Sequence, residues 1–189
     1  WNSRVSSLTA NTATLVDAPS GALSRGDEVI LISLKGSSAA FTNTGNYEFL
    51  RVISVAGNVV TFAWNKIRYY GDAAGSDNNV GSTQYVMLQR VPNYSNVSVP
   101  WDTNLTCSGW NNSTGTGGVL AFRALNNIAV GSTATPSTTR YAYISAYGSG
   151  HRGGTGVARS SNAPAGESYF GGLYTSGAQA GSFSSYNGV

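Results

Sequence analysis

The stretch YEFLRVISVAGNVVTFAW, residues 47–64, decides the fold class. Its two arms are rich in β-branched and aromatic residues, which favour strands. The arms flank the pair Gly57-Asn58, and both residues tolerate the positive φ that tight hairpin turns require. The stretch therefore predicts a β-hairpin, with the turn at this pair.

Strand periodicity continues on both sides of the hairpin. DEVILISLKG, residues 27–36, is apolar on both faces, which predicts a strand buried on both sides. TQYVMLQRV, residues 83–91, predicts another strand that ends at Pro92. Between the hairpin and this strand, residues 69–82 have turn chemistry throughout and predict a long surface loop.

The second half of the chain changes character near residues 95–110. After this point short apolar runs alternate with Gly, Ser and Thr corners, which is the pattern of β-solenoid rungs. The best helix candidate, residues 118–129, is bounded by glycines and lacks an N-cap signal, so a strand is predicted there. The expected fold is all-β. It divides into a β-sandwich- or barrel-like cap domain over 1–99, β-solenoid rungs over 100–150, and an irregular Gly/Ser-rich surface segment over 151–189.

The composition indicates an extracellular protein. Charged residues make up 10% of the chain, against about 25% in an average soluble domain. Gly (24 residues) and Tyr (11 residues) are abundant, and lysine occurs only as Lys35 and Lys66. Such a neutral surface, rich in hydroxyl and amide groups, is typical of proteins that contact sugars or sister subunits. The start at Trp1 fits a processed mature protein or a fragment.

The charge pattern argues against a nucleic-acid partner, and the hydropathy pattern argues against a membrane span. The net charge is +3 and the arginines are scattered along the chain, whereas nucleic-acid binding needs a dense basic stripe. No apolar run approaches the roughly 18 residues of a membrane span. Neither a nucleic-acid partner nor a membrane span is therefore expected.

The stretch HRGGTGVARSSNAPAGESY, residues 151–169, resembles a phosphate-binding or catalytic loop at first sight. It lacks the lysine of a phosphate-binding loop, and no Gly-x-Gly-x-x-Gly fingerprint opens a helix there. His151 lies in a glycine-rich stretch, between Gly150 and Arg152-Gly153-Gly154, and has no nucleophile elbow before it. The stretch is predicted to be architectural, with Arg152 and Glu167 as structural pins.

Carboxylates leave an enzymatic alternative open. Glycosidases need two Asp or Glu residues that face one cleft, and the sequence does not bring any chosen pair of its eight acidic residues together. A polysaccharide-cleaving β-helix enzyme, a lyase or a glycoside hydrolase, is the alternative function. No catalytic residue, metal ligand or cofactor is predicted.

Aromatic residues supply the candidate contact surface. Tyr141, Tyr143 and the Ser145 position share one face of a predicted strand. This face is either a stacking platform for sugar rings or a subunit, or an inward face at a domain junction. Tyr69 and Tyr70 count among the exposed aromatics. The candidate contacts with a glycan or a subunit are Tyr141, Tyr143, Tyr147, Trp110 and Tyr169.

Asn-x-Ser/Thr sequons form a dense group in the middle of the chain. They mark a sugar-coated belt in a eukaryotic secreted protein, but a chain rich in Asn, Ser and Thr also produces them by chance. The candidate N-glycosylation sites are Asn93, Asn96, Asn104, Asn111 and Asn112.

An ordered series of motifs resembles one family. The motifs are GDEVILI (26–32), GNYEFLRVISVAGNVVTF (45–62), LQRVPNYSNVSV (88–99), WNNSTGTGGVLAFRALNNIAV (110–130), ISAYGSGHRGG (144–154) and GESYFGG (166–172). In this order they resemble the glycine-rich β-helix-type secreted surface and adhesin proteins of bacteria and the related phage tail-fibre proteins. The resemblance implies a β-rich cap that leads into a right-handed β-solenoid, and it implies no catalytic residue.

The predicted function is that of an extracellular structural or adhesive module, at the surface of a cell or a virion. It would be a surface adhesin or a subunit of a fibre, sheath, appendage or tail fibre. The expected partners are copies of the chain itself, in a homo-oligomer or filament, and surface glycans.

Overall fold

The fold was analysed in a computed structural model that describes residues 1–37, 40–131 and 141–150. These residues form β-strands and loops and contain no helix, which confirms the predicted all-β class. The strands are β1 (Asn2–Leu8), β2 (Thr12–Leu15), β3 (Glu28–Lys35), β4 (Tyr47–Ala56), β5 (Val59–Phe62), β6 (Tyr85–Val91), β7 (Asn93–Val99), β8 (Asn104–Leu105), β9 (Arg123–Val130) and β10 (Tyr143–Ile144).

The first six strands close into an antiparallel barrel with the order β1-β2-β5-β4-β3-β6. Its β4–β5 hairpin confirms the prediction from residues 47–64, because Ala56 pairs with Val59 across the turn. Gly57 takes a φ of +59°, which a residue with a Cβ adopts only at a cost. Pairing of β1 with β6 closes the sheet, so the barrel has no free strand edge.

The barrel interior follows from alternation along each strand. In β4, Leu50 and Val52 are buried while Phe49 and Arg51 face outward. Burial of each such aliphatic side chain contributes about 1.5–3 kcal/mol. The core consists of Val5, Ala13, Leu15, Leu23, Val29, Leu31, Leu50, Val52, Val60, Phe62, Tyr70, Val80, Val86 and Leu88.

The expectation that Tyr70 is an exposed aromatic residue is wrong. Its side chain is fully buried in the barrel core, and its hydroxyl donates a hydrogen bond of 2.9 Å to Glu48 Oε1. Burial, together with the neighbouring Glu48 carboxylate, raises the pKa of Tyr70. Tyr69 beside it remains exposed. The loop predicted over 69–82 is therefore anchored in the barrel by its second residue.

The outer face of the barrel is also covered along β3 and β6. Ile30, Met87 and Gln89 are buried although their strand neighbours point into the core. Gly117 N donates to Met87 Sδ at 3.3 Å, and Gln89 Nε2 donates to Val119 O at 3.1 Å. Residues 117–119 therefore pack on this face along β6.

Beyond the barrel the pairing becomes parallel. β7 pairs with β9, with Asn93 opposite Arg123 and Val99 opposite Val130. β8 pairs with β10, with Asn104 opposite Tyr143. The chain thus runs through β7 and β8 in a first layer and through β9 and β10 in a second layer on top of it. β9 confirms the strand predicted over 118–129 from Arg123 onward, whereas residues 118–122 form no strand. The segment predicted over 151–189 lies outside the described residues.

Candidate functional site

A surface groove lies where the two parallel layers meet. It is lined by polar and aromatic side chains from both layers: Asn104, Thr106, Tyr143, Ser145 and Tyr147. Asn104 belongs to β8 and Tyr143 to β10, so the groove crosses this two-stranded sheet.

The backbone register explains why these side chains meet. Asn104 lies opposite Tyr143 in the parallel pair. Side chains two residues apart on a strand point to the same face, so Thr106 follows Asn104 and Ser145 follows Tyr143. Adjacent strands lie about 4.8 Å apart, which places all four groups in one small patch. A hydrogen bond of 3.0 Å from Ser145 N to Leu105 O holds the two layers together there.

Two tyrosines stack at the edge of this patch. The rings of Tyr141 and Tyr143 have centroids 5.9 Å apart and planes inclined by 14°. Both side chains are exposed. The sequence places them on one face of a strand, and the structure brings their rings into contact there. An offset pair of this kind presents an apolar ring surface to solvent.

The hydroxyl groups of the groove can both donate and accept hydrogen bonds. Ser145 Oγ accepts a hydrogen bond of 3.0 Å from Tyr147 N, so its own O–H is directed elsewhere. The Tyr147 side chain is 97% exposed and makes the outer wall. The Asn104 carboxamide adds donors and an acceptor. The groove therefore offers short polar groups beside aromatic rings.

The lining residues that the structure describes carry no charged side chain. Its five side chains include no Asp, Glu, Lys, Arg or His. Within the ranges that the structure describes, no cluster of three His, Cys, Asp or Glu residues could hold a metal ion. Proton transfer by a carboxylate pair or hydrolysis by a bound metal has no group to carry it among these side chains.

The remaining predicted contact residues lie elsewhere. Trp110 packs edge-on against Tyr85 of β6, with ring centroids 6.0 Å apart, and its backbone N donates to Ser149 O at 2.7 Å. It therefore lies at the junction of the layers with the barrel and does not line the groove. Tyr169 and the predicted pins Arg152 and Glu167 lie outside the described residues.

The five sequon asparagines are all exposed. Asn104 lines the groove, and three others make structural hydrogen bonds. Asn93 Nδ2 donates to Glu28 Oε2 at 3.2 Å, Asn111 Oδ1 accepts from Ser113 N at 2.9 Å, and Asn112 Oδ1 accepts from Lys35 Nζ at 3.0 Å. The fifth is Asn96 in β7. Glycosylation at these positions stays a prediction.

Sequence reasoning missed Thr106 and treated Asn104 only as a sequon. It placed Ser145 on the same strand face as Tyr143 but did not make it a candidate contact. The sequence contains a weak signal for these polar lining residues. The triplets NLT (104–106) and YIS (143–145) share a polar–apolar–polar order, which places two polar side chains on one strand face. Only the parallel register shows that these two faces adjoin.

The chain was compared with known proteins. No family model and no curated protein matches it. Three solved structures align with it in part. The tailspike protein gp49 of Pseudomonas phage LKA1 is 23% identical over 56% of this chain, with a TM-score of 0.29. The Gp54 tailspike of Acinetobacter baumannii bacteriophage AP22, in complex with A. baumannii capsular saccharide, is 18% identical over 69%, with a TM-score of 0.34. The tailspike gp61 of Pseudomonas phage phi297 is 22% identical over 56%, with a TM-score of 0.30.

The alignments cover a small part of each tailspike. They span 19%, 21% and 16% of the three tailspike chains, so this chain spans about a fifth of their length. Separately, the described residues contain no helix that is long and apolar enough to cross a bilayer.

Proposed function

We propose that this chain is a glycan-binding module of an extracellular structural or adhesive protein. The observation that carries the proposal is the groove, where hydroxyl and amide groups adjoin the stacked pair Tyr141 and Tyr143. Aromatic rings pack against the C–H faces of sugars, and short polar groups bind their hydroxyls. The module would act at a cell or virion surface, in an adhesin, a fibre, a sheath, an appendage or a tail fibre.

The architecture proposed for this function is a barrel cap followed by a right-handed β-solenoid. The two parallel pairings support it, because β9 lies on β7 and β10 lies on β8 in chain order. Stacking of successive turns in this way is how solenoid rungs form. Membership in the glycine-rich β-helix-type surface and tail-fibre proteins is proposed on the order of the sequence motifs.

Binding is favoured over cleavage. Polysaccharide hydrolysis needs two carboxylates that face the scissile bond, and the five lining residues that the structure describes include none. Three carboxylates of the barrel are held in ion pairs: Asp27 with Arg90, Glu28 with Arg123, and Asp77 with Lys66. Release of new reducing ends from a polysaccharide would instead support the enzymatic alternative.

A second function, self-association, is supported by the surface of β9. Leu125 is 82% exposed, and Ile128 and Val130 are also exposed. In the part of the chain that the structure describes, β9 pairs only with β7, so its other edge has no strand partner. An apolar strand with an open edge pairs readily with another chain, and we propose a second copy of this chain as that partner.

An array of immobilised saccharides tests the glycan-binding proposal. The full chain should bind a subset of the saccharides, and a Tyr143→Ala/Tyr147→Ala variant should lose those signals. Both side chains are exposed, so the variant should keep the wild-type unfolding midpoint. A folded wild-type chain that binds no saccharide would overturn the proposal.

A further inference from the structure

We propose that the groove selects uncharged saccharides, those without carboxylate, sulfate or phosphate groups. This inference rests on the proposed glycan-binding function and specifies its ligand. It follows from the distribution of charge around the groove, from the contacts that Arg123 and Lys35 make elsewhere, and from the hydrogen-bonding groups of the lining.

The described stretches of chain that carry the groove, residues 93–121 and 141–150, are almost free of charged residues. Asp102 is the only charged residue between Pro92 and Phe122, and residues 141–150 contain none. Recognition of an acidic sugar normally uses an Arg or Lys that bonds the anion directly. The described lining offers no such cation. The single charge in these two stretches is the negative charge of Asp102. The backbone of Asp102 lies close to the groove, because its N donates to Tyr141 O at 2.9 Å.

Two cations of the described chain, Arg123 and Lys35, make contacts outside the groove. Arg123 makes two hydrogen bonds with Glu28, of 2.7 and 2.6 Å, and its guanidinium lies 4.9 Å from the centroid of the Phe49 ring. Lys35 Nζ donates to Asn112 Oδ1 at 3.0 Å. Both cations therefore serve the contact between the barrel and the layers. An anionic ligand could recruit them only by breaking these contacts.

The groups that are present suit sugar hydroxyls. A pyranose hydroxyl both donates and accepts, and so do the side chains of Thr106 and Ser145. The Asn104 carboxamide can bond two neighbouring hydroxyls, one through its N–H and one through its oxygen. The ring of Tyr143 can lie against the C–H face of the same unit. Every one of these contacts is available to an uncharged sugar.

The affinity for an uncharged saccharide should depend little on salt concentration. Attraction between a charged ligand and a cationic site weakens as salt shortens the screening length, from about 10 Å at 0.1 M to about 3 Å at 1 M. Binding of an uncharged saccharide to an uncharged groove lacks this attraction. The affinity should therefore change by less than about twofold between 0.1 and 1 M NaCl.

The test compares matched polymers by calorimetry with the full chain. Mannan and polymannuronate form one pair, and an uncharged glucan and a polyglucuronate form the other. The expected result is that a neutral polymer binds at least about tenfold more tightly than its acidic partner, at every salt concentration. Preferential binding of an acidic polymer, weakened by salt, would overturn the inference but keep the glycan-binding function. Failure of all four polymers and of a wider saccharide array would overturn both.

A charge-introducing variant links the selectivity to this groove. Thr106→Lys places a cation among the lining residues, and Thr106 is exposed, so the fold should tolerate it. The variant should gain affinity for the acidic polymers, and this gain should disappear in high salt. An unchanged preference in the folded variant would show that the selectivity arises elsewhere and would contradict the inference.

Discussion

Arg123 holds Glu28 through two hydrogen bonds, with Nε 2.7 Å from Oε2 and Nη2 2.6 Å from Oε1. Arg123 begins β9 and Glu28 begins β3, so the pair fastens the second parallel layer to the barrel. Arg51 lies opposite Glu28 in the adjacent strand β4. The hydrogen bonds from Arg123, supported by the one from Asn93, lower the pKa of Glu28 below its ordinary value of 4.5, against a smaller opposing effect of burial.

Acid should weaken the ion pair between Arg123 and Glu28. A carboxyl whose folded-state pKa is depressed stabilises the fold above its unfolded pKa, and this stabilisation is lost as the pH falls through the folded-state value. Below pH 4.5 the melting temperature of the wild type should therefore fall more steeply than that of Glu28→Gln. Thermal unfolding followed by circular dichroism measures this. Asp17→Asn, which removes an exposed carboxylate, is the control and should keep the wild-type slope. Parallel curves for wild type and Glu28→Gln would contradict the account.

The hydroxyl of Tyr70 should contribute measurably to stability. Tyr70→Phe removes the donor to Glu48 Oε1 and leaves a half-buried carboxylate with one partner fewer. The expected cost is about 1–2 kcal/mol in the free energy of unfolding, measured in urea. Tyr69→Phe makes the same chemical change at an exposed neighbour and should stay within about 0.5 kcal/mol of wild type. Equal effects of the two variants would show that the buried hydrogen bond is not stabilising.

Packing of the layers against the barrel should depend on Gly115. Its φ is +70°, and an added Cβ would overlap the ring of Tyr85. Gly115→Ala should therefore destabilise the protein by about 1–3 kcal/mol, because both the backbone and the packed ring are strained. Gly109→Ala is the matched control, since a Cβ added at Gly109 would meet no atom within 4 Å. Urea unfolding compares the two variants, and a Gly115→Ala protein as stable as Gly109→Ala would refute this packing.

The strands β3 to β6 were predictable because their signals are local. In the hairpin, alternation along 47–62 and the pair Gly57-Asn58 set both the strands and the turn. Tyr70 was misjudged because its neighbours have turn chemistry, and only the closed barrel provides the interior that buries it. The two-sided burial of β3 was predicted, but the packing of residues 117–119 on Met87 and Gln89 was not, because it joins distant parts of the chain.

The sequence predicted only one wall of the groove, the one with the tyrosines. The shared face of Tyr141 and Tyr143 follows from strand alternation. The opposing wall, with Asn104 and Thr106, depends on which residue of β8 lies opposite Tyr143. Parallel register between short strands is set by long-range packing and not by a turn. For the same reason the sequence did not show that Trp110 packs on Tyr85.

Self-association should depend on the exposed surface of β9. Ile128→Lys places a charge on this strand, and charges on open edges block pairing between chains. The wild type should form oligomers at high concentration in analytical ultracentrifugation, and Ile128→Lys should sediment as a monomer. Val16→Lys is the control, because Val16 is comparably exposed but lies in the turn after β2. A wild-type chain that stays monomeric at every concentration would refute self-association.

The central claim is that the tyrosine-bordered groove binds glycan, and two equally exposed tyrosines allow its most direct test. Tyr143, in the groove, is 47% exposed, and Tyr94, on β7 outside the lining, is 48% exposed. Calorimetry with a saccharide that binds the wild type should show about a tenfold loss of affinity for Tyr143→Ala. Tyr94→Ala should bind as the wild type does. Equal affinities of the two folded variants would contradict the account.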